Sequence, residues 1–171
     1  MLKIFVKLLL IFFFFITQSF SKNITIVDVN FLIQNSKAGK FIQKTLNDDN
    51  KKIIAELNKK GNELKNEEKK IISQKNVLSE EEFRKKIDGY KKKINKHNLE
   101  RKNKLEELNK KKATGIAKLL ENLNQILVQY SKDNNIDLII DKKYTILTKN
   151  EGDITNLVLE LLDKKITKIS F

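Results

Sequence analysis

The chain has 171 residues, with 35 lysines and arginines against 22 aspartates and glutamates, a formal net charge of +13 and no cysteine. So basic a surface selects anionic partners, such as acidic polypeptides or phospholipid and lipopolysaccharide head groups. Without cysteine, disulfide stapling is excluded and packing or oligomerisation must hold the fold; with no proline and only 5 glycines, long uninterrupted helices are permitted.

The first element reads as a leader. Lys3 and Lys7 are followed by an apolar run from Leu8 to Ile16, then by small and polar residues ending in Ser19-Phe20-Ser21. That order is a secretory signal peptide, residues 1–21, and Ser19 and Ser21 supply the small side chains needed for cleavage after Ser21. The run is about half of the roughly 20 residues a membrane-spanning helix needs, which disfavours an uncleaved anchor. Export ranks nucleic acid last among the anionic partners, and no nucleic-acid partner is expected.

The mature chain opens with alternation that predicts a strand from Ile24 to Val29 and turns amphipathic at Asn30. From Ser36 to about Asn134 helix formers dominate. Leu57, Leu64, Ile71 and Leu78 recur every seven residues, with Ile54 three before the first, while the alternate seam positions hold Gly61, Glu68 and Lys75. This is half a heptad stripe, the signature of a loosely packed hairpin rather than a tight rod. Ser79 followed by Glu82 is a capping box and starts a second helix. That helix carries Phe83, Ile87, Tyr90, Ile94, His97, Leu105 and Leu108 at spacings of three and four. Two helices joined by so short a turn run antiparallel, and a first arm of about 40 residues is about 60 Å long.

Apolar density marks where the arm meets a core: Ile116, Leu119, Leu120, Leu123, Ile126, Leu127 and Tyr130 at one end, and Phe31, Leu32, Ile33, Ala38, Phe41 and Ile42 at the other. After a helix stop at Asn134-Asn135, strands are predicted over Ile136–Ile140 and Tyr144–Thr148. A closing helix capped by Asp153 follows, with Ile154, Leu157, Val158, Leu161 and Leu162 on one face. The predicted fold class is α+β, a small β-rich body (22–35 and 116–171) bearing a helical coiled-coil hairpin (36–115) with its tip near 76–80. So few strands leave open edges and an uncovered apolar face, which predicts an oligomer. Ile24, Ile26, Val27, Val29, Leu138, Ile140 and Ile146 are the candidate oligomerisation residues.

These features resemble the OmpH (Skp) family of periplasmic chaperones. The resemblance runs from Ile24 to about Lys165. It is most specific in Val27-Asp28-Val29 with Ser36-Lys37-Ala38-Gly39-Lys40, and in Ile136-Asp137-Leu138-Ile139-Ile140-Asp141 with Asp153-Ile154-Thr155. It implies a periplasmic homotrimer whose three helical tentacles enclose a cavity and hold unfolded outer-membrane proteins in transit without ATP. The basic cluster proposed to bind lipopolysaccharide in that family has no residue-by-residue counterpart here, so lipopolysaccharide and anionic lipid stay open as partners.

The physical reading of such an arm is many weak contacts. Leu78, Phe83, Ile87, Tyr90 and Ile94 are the candidate client contacts; Lys85, Lys86, Lys91, Lys92 and Lys93 are candidates for electrostatic recruitment. Against each stands a plainer role, hairpin packing for the apolar stripe and a solvated face for the lysines. Gly61, Gly89 and Gly115 are the predicted bending points. His97, the one histidine, has no companion for metal binding or catalysis, and Asp28, Asp137 and Asp141 suit turn and cap duties. No catalytic residue, metal site or cofactor is expected. The competing class is an exported coiled-coil scaffold that binds one folded envelope partner.

Overall fold

In the computed structural model, which describes residues 22–147 and 152–171, the chain leaves one small body along a helix and returns to it along another. Strand β1 (Ile24–Val27) lies parallel to β2 (Leu138–Asp141), pairing Ile24 with Leu138 and Val27 with Asp141. Parallel neighbours cannot be joined by a tight turn, and here the crossover is the whole arm. Helices α1 (Val29–Asn35), α2 (Lys37–Ser73) and α3 (Glu80–Asp133) lie between the strands. A 3-10 turn (Lys142–Tyr144) and α4 (Thr155–Lys165) follow β2.

The body is mostly helical, with a two-stranded sheet rather than the β-rich layer read from the sequence. The first strand stops at Val27 because Asp28 accepts from the Phe31 amide at 2.8 Å and caps α1, which places Val29 inside a helix. At the other strand, Asn135 takes a left-handed φ of 51°, a conformation asparagine tolerates. Ile136 then donates back to the Ser131 carbonyl (2.9 Å), so pairing begins two residues late, at Leu138. Over Tyr144–Leu147 the predicted strand is absent; Thr148 lies outside the described residues, as does the predicted leader. Asp141 accepts from the Lys143 amide (3.3 Å) and turns the chain away, leaving Tyr144, Ile146 and Leu147 projecting into solvent. A third segment does reach the sheet: Ile154 donates to the Ile26 carbonyl at 2.9 Å beside an isolated bridge from Ile26 to Asp153.

Both roots of the arm build the core. Leu32, Ala38 and Ile42 pack with Leu119, Leu123 and Ile126, and α4 covers them with Val158 and Leu162. The tail adds Ile169 and, at the edge, Phe171, neither of which the periodic pattern announced. The corner between α1 and α2 is tight. Buried Ser36 caps α2 through the Gly39 amide (3.1 Å), and a Cβ on Gly39 would lie 1.8 Å from the Ile33 carbonyl oxygen. Asp153 sits one position before the cap of α4, which is Ile154, but still accepts from the Thr155 amide at 3.0 Å.

Helix α2, at 37 residues, is about 55 Å long, and α3, at 54 residues, about 81 Å. The predicted capping box at Ser79 and Glu82 is formed in full and opens α3. Along the arm, Leu57 and Ile71 are buried and Leu64 half-buried, so part of the seam is spent on the hairpin itself. Ion pairs lace the rest: Lys60 bridges Glu56 (3.1 Å) and Glu100 (2.6 Å), Lys104 reaches Glu56 (2.7 Å), Lys93 reaches Glu67 (2.6 Å) and Lys111 reaches Asp49 (2.6 Å). Each exposed pair contributes little alone. Gly115 is a packing glycine, since a Cβ there would meet the Phe171 ring at 3.1 Å, whereas Gly89 faces open space.

Gly39→Ala is expected to lower stability by at least about 2 kcal/mol, because backbone blocks the new Cβ. Gly89→Ala should raise helix stability by about 0.5–1 kcal/mol, both read from urea midpoints at one protein concentration. Hydrogen bonds from Lys104 and then Lys60 hold the Glu56 carboxyl below the ordinary carboxylate range, and Lys60 does the same to Glu100. Carboxylates depressed by folding stabilise above the unfolded value, about 4.3 for glutamate, and lose that contribution as the pH falls through the folded values. Amide exchange in the middle of the arm, corrected for intrinsic rates, should therefore accelerate on acidification through that range. Glu56→Gln should flatten the dependence.

Candidate functional site

Among the described residues no three His, Cys, Asp or Glu side chains gather in a metal-ligand arrangement, and no helix is long and apolar enough to cross a membrane. His97 stands alone beside Gly61, with its Nδ1 buried and without a hydrogen-bond partner. One polar cluster ties the body together. Asp153 pairs with Lys142 (2.7 Å) and takes the Thr155 amide, while Thr155 Oγ1 accepts from the Asp28 amide at 2.8 Å. Burial pushes the Asp153 carboxyl up, yet the hydrogen bonds from Lys142 and Thr155 outweigh it and hold the group low. These groups satisfy one another, and the remaining candidates lie on the surfaces of arm and body.

On the arm, Leu78, Phe83, Ile87, Tyr90 and Ile94 all lie on the half-covered stripe. They divide their area between the hairpin and solvent. Tyr90 shows this electrostatically: burial raises its hydroxyl pKa first, and the nearby Glu68 carboxylate raises it further. More exposed apolar groups stand elsewhere on the arm, with Val77 83% exposed at the tip, Ile72 and Leu99 each 58% exposed, and Ile54 and Leu105, members of the periodic pattern, also outward. Sequence reasoning passed over Ile72 and Leu99 because it followed the heptad template, and took Val77 only as part of a turn. The signal that could have found them is an apolar residue out of register with its neighbours.

The five recruitment lysines are all exposed. Lys85 pairs with Glu81 at 2.7 Å within its own helix, Lys86 donates to Gln74 across the tip at 2.6 Å, and Lys93 crosses to Glu67. Lys91 stands 4.0 Å from Asp88, and Lys92 has no ion-pair partner among the described residues.

On the body, strand alternation sorts the remaining candidates by face. Thr25 and Val27 are buried on the core side of β1; Val29, in α1, packs against the same core. Ile24 and Ile26 alternate with them and sit opposite Leu138 and Ile140, so four apolar side chains share the other face. Ile24 and Leu138 are about half exposed, and Ile146 and Leu147 beyond them are fully so. The single chain therefore leaves apolar side chains uncovered on the outer sheet face and on the segment that follows β2.

A search of curated proteins finds no significant match. The architecture is shared with the crystal structure of an OmpH-like protein from Caulobacter crescentus, at a TM-score of 0.82 and 19% sequence identity over 88% of this chain and 89% of that one. The model of the family described as outer membrane protein (OmpH-like) matches residues 23–162. On this match, which takes in β1, the entire arm and most of α4, the chain belongs to the OmpH-like family.

Proposed function

We propose that the protein is an ATP-independent periplasmic holdase that binds unfolded outer-membrane proteins and keeps them from aggregating. The observation that carries this reading is the distribution of exposed apolar groups along both arm helices and the turn between them, Ile54, Ile72, Val77, Leu99 and Leu105, set in a lysine-rich surface. An unfolded barrel strand exposes one apolar face and unpaired backbone groups. Scattered weak contacts cover such a chain without trapping it, and on one oligomer they combine through effective concentration. The lysine excess supplies long-range attraction for acidic clients and weakens with salt. Family membership supports the reading, as does the shared architecture with the OmpH-like Caulobacter protein, itself a candidate outer membrane chaperone.

The same reading includes a cleaved leader and a homotrimer joined through the outer sheet face of Ile24, Ile26, Leu138 and Ile140 with Ile146. Three bodies would cover the patch that one leaves open. Leu138→Asp is expected to convert a species of three times the chain mass into monomer in light scattering; an unchanged mass would remove that face from the interface.

The functional test dilutes a urea-unfolded outer-membrane barrel protein into buffer with and without the purified protein, at low and high salt. Aggregation should be suppressed at near-stoichiometric amounts, with slower capture at high salt. No suppression at several-fold excess of folded protein would overturn the holdase reading and favour the scaffold class.

A further inference from the structure

At the root of the arm, the end of α1 joins α2 and α3 around a groove of about 700 Å³, within the size range of ligand sites. Its chemistry differs from the rest of the arm. Farther out, the depression between the helices is lined by Lys60, Glu63, Glu67, Lys93 and Glu100, charges that largely answer one another. The root groove has an apolar floor of Ile42, Leu46, Leu108 and Ile116 beneath the carboxamides of Gln43, Asn47, Asn50 and Asn109. Its single charged lining residue is Lys112, in a chain that carries 22 acidic side chains. Along the adjoining face of α2, Lys40, Lys44 and Lys51 stand with one carboxylate, Asp48. None of these four lysines makes an ion pair among the described residues.

From this charge imbalance and polar lining we infer that the root groove is a docking site for an extended, acidic polypeptide segment. The inference rests on the holdase reading and gives it one defined contact. A carboxamide both donates and accepts, as a peptide unit does. Walls of asparagine and glutamine can therefore pair with the open N–H and C=O groups of an extended chain whatever its sequence. Side chains on one face of that chain drop every second residue onto the apolar floor, and acidic side chains on the other meet the unneutralised lysines. The described groove residues include no aromatic ring on which a nucleic-acid base would stack.

Because the chain has no cysteine, single thiols can be placed without background. Gln43→Cys and, as a control on the outer arm, Asn66→Cys carry a benzophenone. The probe is a short fluorescent peptide alternating valine and glutamate, compared with one alternating valine and lysine. The acidic peptide should crosslink from position 43 and not from position 66. Asn47→Trp, which fills the groove, should weaken its binding about tenfold with an unchanged urea midpoint. Lys44→Glu with Lys112→Glu should reverse the preference between the peptides. Equal crosslinking from both positions, unchanged binding to the filled groove, or competition by phosphatidylglycerol vesicles but not by unlabelled peptide would each overturn the inference. The aggregation assay separates it from the holdase reading. Suppression without peptide binding removes the groove and leaves the holdase, whereas peptide binding without suppression does the reverse.

Discussion

Everything in this molecule depends on the contact between the two roots of the arm. Leu32 and Ile42 come from the outgoing limb, Leu119 and Leu123 from the returning one, and Val158 and Leu162 seal them from above. Deleting a buried leucine of this kind costs about 2–5 kcal/mol, a large share of the stability of a small domain. Because β1 and β2 are parallel, a crossover must leave and return before they can pair, and here the arm is that crossover. Its outer part contributes little to the core, and its length and surface are thereby free to serve another purpose.

The arm itself is held by a compromise. A fully apolar seam would bury its hydrophobic residues in the hairpin and leave nothing for a partner. A fully polar one would not hold two helices together. Buried Leu57 and Ile71 with the cross-helix pairs at Lys60, Lys93 and Lys111 give enough cohesion, and the half-covered stripe from Leu78 to Ile94 retains some exposed area. Ile72, Val77 and Leu99 lie outside this arrangement altogether. Tight binding by any one of them would oppose release, and their dispersal suits a carrier.

Legibility in the sequence followed the range of the physics. The two arm helices, the closing helix, the hairpin turn and the capping box at Ser79 and Glu82 are set by residues within four positions of each other and were readable; the short helix α1 was not, and Val29 was read into the strand. The core ends were readable too, because Leu119, Leu123 and Ile126 repeat with helical period. The strand at Tyr144 was misread because β-branched and aromatic residues favour a strand only when a neighbour pairs with it, and the single chain presents none there. The corner at Ser36 and Gly39 depends on a backbone approach that no side-chain pattern records, and Ile169 and Phe171 reach the core singly. On the candidate surface, the stripe was visible as a period, while the most exposed apolar groups and the carboxamide-lined groove at the root became visible only with the helices in place.

The central claim is that cargo is held by dispersed contacts along the arm. Paramagnetic broadening of the methyl signals of Ile54, Ile72, Val77 and Leu99 by a spin-labelled, unfolded outer-membrane barrel protein tests it most directly. The account predicts partial broadening at all four, falling together as salt is added. Broadening confined to Ile24 and Leu138 on the body, with the arm methyls untouched, would contradict it.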